Sequence, residues 1–350
     1  MFHALISLGC EVKKFAWHSY FQAPRKSIFN PILRMWLRFE NKYLWGWQML
    51  QLNRDLLELV KECKPDAVFI YRGTHIFKNT LESIKRFDSK LVLVGYNNDD
   101  PFAPGYGRGV LWRHFIRGLP VLDLALAYRH RNLTDYQKAG AKRVELLRSW
   151  YMPDRNYPVD LNLEQALQYG CDVAFIGHYE PDLRLDCLEA IVKAGYRLKL
   201  YGPPYEWEPI LKDHPTLKTL LPVKLVWGEE YNLSINGAKV ALVFLSKLNQ
   251  DSYTRRSFEI PATATAILSE YTEDLSSMFT EGREIEFFRD PSELVLKLTE
   301  YLADDARRLC IGKAGFERVI SDGHSVKERM KKLMILIGQI KEKNELIAKF

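Results

Sequence analysis

Two neighbouring segments decide the fold: Val240-Ala241-Leu242-Val243-Phe244-Leu245, and then Asp251-Ser252-Tyr253-Thr254-Arg255-Arg256-Ser257-Phe258-Glu259-Ile260-Pro261-Ala262. The unbroken apolar run reads as a strand buried on both faces. A polar loop follows it, and Glu259 opens what reads as a helix. Backbone N–H groups and the dipole at a helix start favour anions, and Arg255 and Arg256 add fixed positive charge. The carboxylates of Asp251 and Glu259, eight residues apart, accept hydrogen bonds from hydroxyls. Donors for phosphate beside acceptors for hydroxyls suit a sugar nucleotide. The bland alternative is a solvated loop followed by an ordinary helix cap.

Outward from this loop the chain alternates between helical and strand patterns. Before it lie the apolar runs Ala67–Tyr71, Leu91–Tyr96, Leu122–Ala127 and Arg143–Leu147, then Asp172–Gly177 and Arg197–Gly202. Lys224–Trp227 reads as one further short strand. Helical periods separate these runs, which predicts parallel, doubly wound sheets. Ligands gather at the carboxyl ends of such strands. Those ends hold Arg72-Gly73-Thr74-His75, Asn97-Asn98-Asp99-Asp100 and Tyr128-Arg129-His130-Arg131. Two prolines and several polar residues in Trp150–Pro158 mark a linker.

The acidic loop resembles the donor-site signature of glycosyltransferases with the GT-B fold, near family four and nearest the spore-maturation (CgeB-like) group. The signature is an acid, seven residues, a Glu, then a small-residue helix start and a short apolar strand, here Thr265-Ala266-Ile267-Leu268. Two positions depart from it: Asp251 stands where Glu is usual, and Ala264 where Gly is usual. The resemblance covers about residues 120–330, with its best motifs at 172–202 and 251–330. It implies two Rossmann-like domains facing a cleft. The first, 1–153, is the acceptor side. A linker, 154–170, joins it to the donor-binding domain, 171–324, and a final helix, 325–350, returns toward the first.

The resemblance also assigns roles. Glu259 takes the ribose hydroxyls and Asp251 the sugar hydroxyls. Arg255 or Arg256 meets phosphate, with Ser252 contributing a hydroxyl. Gly177, His178 and Arg184 occupy the strand–Gly–basic–basic pattern that neutralises a diphosphate; the rival for Arg184 is a helix-surface residue pairing with Glu180 or Asp182. Tyr201 and Gly202 form the second strand-end loop, and Trp227 stands where the nucleobase is covered. On the acceptor side Asp99 and His130 are candidates for proton transfer, with His75 a further one, because a carboxylate or imidazole carries protons near neutral pH. Pairing of Asp99 or Asp100 with Arg72 or Arg129 is their structural rival. The implied activity is transfer of a sugar from a nucleoside-diphosphate donor to a hydroxyl of a glycan, lipid-linked or protein acceptor. Retention of configuration and independence of metal or any cofactor follow from the resemblance alone. Alternatives are a sugar-nucleotide epimerase, a non-catalytic sugar-nucleotide binder and a membrane-docked relic.

Bulk properties agree. With 350 residues, 47% of them hydrophobic and 27% charged, the chain has room for two cores. Five scattered cysteines without a Cys-x-x-Cys give neither a zinc nor a disulfide pattern. No apolar run reaches the length of a membrane span, and the start lacks the pattern of a signal peptide; a cytoplasmic location is the expectation. The net charge of +6 is uneven: 24 basic against 13 acidic residues in 1–150 give +11, and 26 against 31 in the rest give −5. A basic first half implies an anionic partner; no nucleic-acid module is present. Residues 15–47 are rich in aromatic and basic side chains, including Arg25, Lys26 and Phe29. They read either as a helix packed on its own sheet or as an amphipathic helix on an anionic membrane. Finally, Met1–Gly9 reads as a helix and Cys10–Phe15 as a strand, without the strand that should precede them, which points to a missing start.

Overall fold

The computed structural model describes residues 1–22, 30–105 and 108–347; Arg25, Lys26 and Phe29 lie outside them. Two compact units result. One comprises Met1–Arg148 and the chain from Met330 on, the other Ser149–Arg329.

The first unit carries helices α1 (Phe2–Ser7), α2 (Asn30–Tyr43) and α3 (Trp47–Cys63) ahead of its sheet. Strands β1 (Ala67–Tyr71), β2 (Val92–Asn97), β3 (Leu124–Ala127) and β4 (Val144–Leu146) alternate with α4 (Lys78–Phe87), α5 (Arg108–Gly118) and α6 (His130–Lys138). All pairs are parallel, in the order β1-β2-β3-β4. Right-handed crossovers in this unreversed order place α4, α5 and α6 on one face. The core there joins Leu52, Leu56 and Val60 of α3 with Leu81, Ile84, Trp112, Phe115, Leu93 and Ala125. Cys10–Phe15 is no strand: it pairs with nothing in the sheet, and Glu11, Lys13 and Lys14 are exposed. Of the aromatic stretch, Phe15, Tyr20 and Phe21 pack on this core.

Glu40 fixes the corner between α2 and α3. Its carboxylate is buried, and it accepts from the backbone N–H of Trp47 and of Gln48, both at 2.9 Å. These are orphan donors at the start of α3, whose N-cap is Gly46 and has no side chain to offer. A methyl at Gly46 would lie 2.4 Å from the same carboxyl, and φ there is +129°. Glu40→Ala is therefore expected to destabilise the unit by about 1–2 kcal/mol, read as a lower denaturation midpoint; a shift below about 0.3 kcal/mol would show that the cap contributes nothing.

The second unit holds α7 (Leu163–Tyr169), β5 (Cys171–Ile176), α8 (Arg184–Lys193), β6 (Leu198–Tyr201), α9 (Pro204–Leu211), α10 (Glu229–Asn236) and β7 (Ala238–Val243). The one-turn α11 (Arg256–Glu259), β8 (Ala266–Glu270), α12 (Glu273–Met278), β9 (Glu286–Phe288), α13 (Pro291–Ala303) and α14 (Asp305–Ser321) follow. Its parallel sheet runs β6-β5-β7-β8-β9. Lys224 makes only a single bridge, to Tyr201, rather than a strand. Side-chain caps set the helix starts: Asn162 with Gln165 as a capping box, then Thr272, Asp290 and Asp304.

The last helix, α15 (Val326–Ile347), joins the first unit from Met330 on. Met330, Leu333, Leu336 and Ile340 form its buried stripe. Gln339 accepts from Arg143, just ahead of β4, at 3.2 Å, and Lys341 pairs with Asp66, just ahead of β1. The helix thus lies along the end where the strands begin. No helix among the described residues is long and apolar enough to cross a membrane.

Candidate functional site

In the second unit the chain steps from β5 to β6 on one side, then crosses back to β7 on the other. The crevice at the carboxyl ends of β5 and β7 is the switch point at which open α/β sheets bind ligands. The β5 and β6 end loops are in contact there. The indole N–H of Trp207 donates to Gly177 O at 2.9 Å, and a Cβ on Gly202 would come within 2.2 Å of that same oxygen. Only glycine permits this approach. The Arg256 guanidinium reaches the same place: a Cβ on Gly177 would stand 3.4 Å from Arg256 Nη2. A narrow cavity of about 10 Å³ lies between Ala174 and Ile176 of β5 and Ala241 and Leu242 of β7, with Tyr231 and Arg256 in its wall. That is room for about one water.

Glu259 is buried at this edge. Among the described residues its carboxylate has one hydrogen bond, accepted by Oε2 from the Tyr231 hydroxyl at 2.7 Å. Burial pushes its carboxyl above the ordinary range, against the opposing pull of Arg255, the Tyr231 hydrogen bond and Arg256. The helical turn, however, does not begin at Glu259. It begins at Arg256 and ends at Glu259, and a 3-10 turn over Pro261–Thr263 continues it. Glu259 therefore closes a turn, and no helix tip lies behind it. Ala264 takes the left-handed conformation, φ +58°, which explains why glycine is usual there.

Arg184 is also buried, and its guanidinium binds protein groups. It donates to His178 O at 2.9 Å and Leu245 O at 3.1 Å, and pairs with Asp182 at 3.3 Å and Glu180 at 3.6 Å. It thereby ties the loop after β5 to the loop after β7. Two more carboxylates brace the second loop. Glu180 accepts from the N–H of Lys247 at 2.9 Å; Glu270, at the end of β8, accepts from the N–H of Leu245 and pairs with Lys247 Nζ at 2.9 Å. Burial raises the Asp182 carboxyl, with Arg184 pulling the other way. Pairing with Glu180 and Asp182 matches the sequence-level rival, although in a buried rather than solvent-facing setting.

The remaining candidates take varied positions. Asp251 is half-buried, and its N–H closes the loop on Ser246 O at 2.8 Å. Ser252 Oγ donates to Asp274 at 2.6 Å. Arg255 lies over the Trp150 ring, 5.5 Å from its centroid, with Nε 3.4 Å from Ser149 Oγ. His178 Nδ1 contacts Glu206 at 3.0 Å from an exposed position. The Tyr201 ring is buried, and its hydroxyl is pushed up to about 12 by burial; it packs inside the unit. Trp227 is 74% exposed, a surface on which a base can stack.

In the first unit Asp99 pairs with Arg72 at 2.8 Å. Asp100 is fully buried and accepts from Asn132 and from the N–H of Phe102, both at 2.9 Å. His130 Nε2 is 3.0 Å from Arg148. His75 is a packing residue: both ring nitrogens are engaged, by Thr74 and Asn41 at 2.8 Å, and Trp17 stacks on it at 4.1 Å. Burial, then His114 and Arg72, lower it to about 4, so it stays a neutral imidazole at physiological pH and is not poised to take up a second proton there. Tyr231 and Glu270 escaped the sequence reading, and neither carries a local signal; Glu180 was read only as a partner of Arg184, and its bond to the Lys247 N–H is the part that was missed.

Residues 184–335 match the family model described as glycosyl transferase-like. A search of curated proteins finds no match. Similar solved structures include HepE from Anabaena in complex with UDP-glucose, at 10% identity and TM-score 0.60, with 85% of this chain and 82% of that one covered. Sucrose-phosphate synthase from Thermosynechococcus elongatus gives 13% identity and TM-score 0.60, covering 91% and 80%. A glycosyltransferase from Rickettsia africae gives 10% identity and TM-score 0.63, covering 91% and 83%. The likeness is one of fold: this chain shares the α/β, parallel-sheet GT-B fold.

Proposed function

We propose that this chain is a glycosyltransferase, most akin to the CgeB-like group, that moves a hexose from a nucleoside-diphosphate sugar to a hydroxyl acceptor with retention of configuration. One observation carries it: the Glu259 carboxylate, fixed by Tyr231 and beside Arg256, lies where the strand order reverses. Oε2 is held by Tyr231, which orients the group and leaves Oε1 to accept from the ribose hydroxyls. Arg256 faces the β5 end loop and Arg255 follows the Trp150 ring; together they meet the diphosphate. In the reaction the bond from the anomeric carbon to the β-phosphate oxygen breaks, passing through an oxocarbenium-like state. The diphosphate leaves with the electron pair, the acceptor oxygen bonds to that carbon from the same face, and its proton passes to the departing phosphate oxygen. Fixed guanidinium charge stabilises the developing anion, and no metal enters this scheme. Arg184 acts at one remove by holding the two strand-end loops together.

The test is calorimetric titration with sugar nucleotides, UDP-glucose first, because a similar fold binds it, followed by a hydrolysis assay. Glu259→Gln is expected to weaken donor binding about 10- to 100-fold, the worth of a charge-assisted hydrogen bond. Affinity of the parent chain is expected to fall as pH drops through the raised Glu259 pKa, because protonation removes an acceptor, and Glu259→Gln abolishes that step. Unchanged affinity in Glu259→Gln would refute the ribose contact. Donor binding without any turnover would leave a non-catalytic sugar-nucleotide binder.

A further inference from the structure

The aromatic helix of the first unit is not absorbed by sugar transfer. On α2, Ile32, Met35, Trp36, Phe39 and Tyr43 recur at three- and four-residue steps, and all are exposed, Ile32 and Met35 at 68%. The face that packs inward is a different one, formed by Leu33, Leu37, Glu40 and Asn41. Arg34, Arg38 and Lys42 form a third, exposed row beside the apolar one. The apolar surface continues beyond the helix through Trp45, Trp47 and Leu50, exposed at 66%, 63% and 54%. Between residues 30 and 54 the sole carboxylate is Glu40, and it is buried.

We propose that α2 and the start of α3 dock this chain on a lipid surface rich in anionic headgroups. An apolar stripe of this size exposed on a folded unit marks an interaction surface. Its chemistry selects lipid: Trp and Tyr favour the headgroup level, and a basic row beside an apolar one fits an amphipathic helix lying in an anionic interface. The corner is rigid enough to insert as a unit. The Trp36 indole donates to Glu40 Oε1 at 2.9 Å, the Phe39 and Tyr43 rings meet at 4.5 Å, and the same Glu40 caps α3. Docking through this face requires no sugar nucleotide, so it stands or falls independently of the transfer reaction.

The test is cosedimentation of the full chain with vesicles of phosphatidylcholine alone, and with about 30% phosphatidylglycerol added. Binding is expected only to the anionic vesicles, weakening as salt rises, with a blue shift of tryptophan emission. Charge reversal in R34E/R38E/K42E is expected to weaken binding by at least about a hundredfold. M35E/F39E is expected to abolish the emission shift. All five positions are exposed, so both variants should melt like the parent. Absence of binding to anionic vesicles overturns the proposal, as does binding that neither variant weakens. Self-association of the free chain that M35E/F39E abolishes, without vesicle binding, would overturn it in favour of a second copy of this chain.

Discussion

Arg184→Leu is expected to destabilise the second unit by about 3–5 kcal/mol, the usual consequence of removing one partner from a buried charge cluster. Arg184 is 3% exposed, and its guanidinium serves two carbonyls and two carboxylates. Leucine fills much of the space but leaves His178 O and Leu245 O without their donor and Asp182 without its counter-charge. The deficit should be largest near neutral pH. Without Arg184 the Asp182 carboxyl rises further above its ordinary range, so a group that must ionise in a buried place penalises the fold as pH increases. Protonation at lower pH relieves it. Adding Asp182→Asn to the leucine variant should therefore recover part of the loss at pH 7 and little in acid, a coupling that a double-mutant cycle measures directly. Denaturation midpoints showing less than about 1 kcal/mol would mean that the cluster is not the clamp between the β5 and β7 loops.

That clamp also shows what was legible in the sequence. The acids Glu180 and Asp182 stand four and two residues before Arg184, so their pairing could be read from spacing. Glu270 could not, because the sheet brings it to the β7 loop from 25 residues away. The buried strands were legible for the same local reason: Ala67–Tyr71, Leu124–Ala127, the 173–176 part of β5 and the 240–243 part of β7 are unbroken apolar segments between helical periods. β9 was not, since three residues carry no period. Cys10–Phe15 failed in the opposite way, with apolar residues at strand-like steps but no neighbouring strand among the described residues, while the Cys10 N–H donates back to Leu5 O in α1. The helix start was misplaced by three residues because Pro261 suits a first turn, whereas the chain already turns at Arg256 and uses the proline for a second, tighter turn. Tyr231 lies 28 residues from Glu259 with no motif to mark it, and Glu40 caps a helix from the preceding one. Contacts of this kind arise from packing and leave no periodic trace.

Arg256→Met is expected to lower turnover about a hundred- to a thousandfold while changing donor affinity far less. The guanidinium stands at the Gly177 end of β5, and its Nε is buried without a hydrogen-bond partner among the described residues. A fixed charge aimed at a leaving diphosphate acts most strongly once the bond is breaking, so its loss falls on kcat more than on KM. Arg256→Lys should restore only part of the rate, because an ammonium lacks the planar fork that meets two phosphate oxygens together. Arg255→Met should cost less, since Arg255 is already engaged with Trp150 and Ser149. A merely structural role is separated by the pH profile of donor binding. Arg256 holds the Glu259 carboxyl down against burial; without it that group titrates higher, and donor affinity in Arg256→Met should fail at a higher pH than in the parent. Turnover within about twofold of the parent, or an unmoved profile, would remove Arg256 from the chemistry and with it the claim that arginine, at the switch point of this sheet, carries the charge of the departing nucleotide.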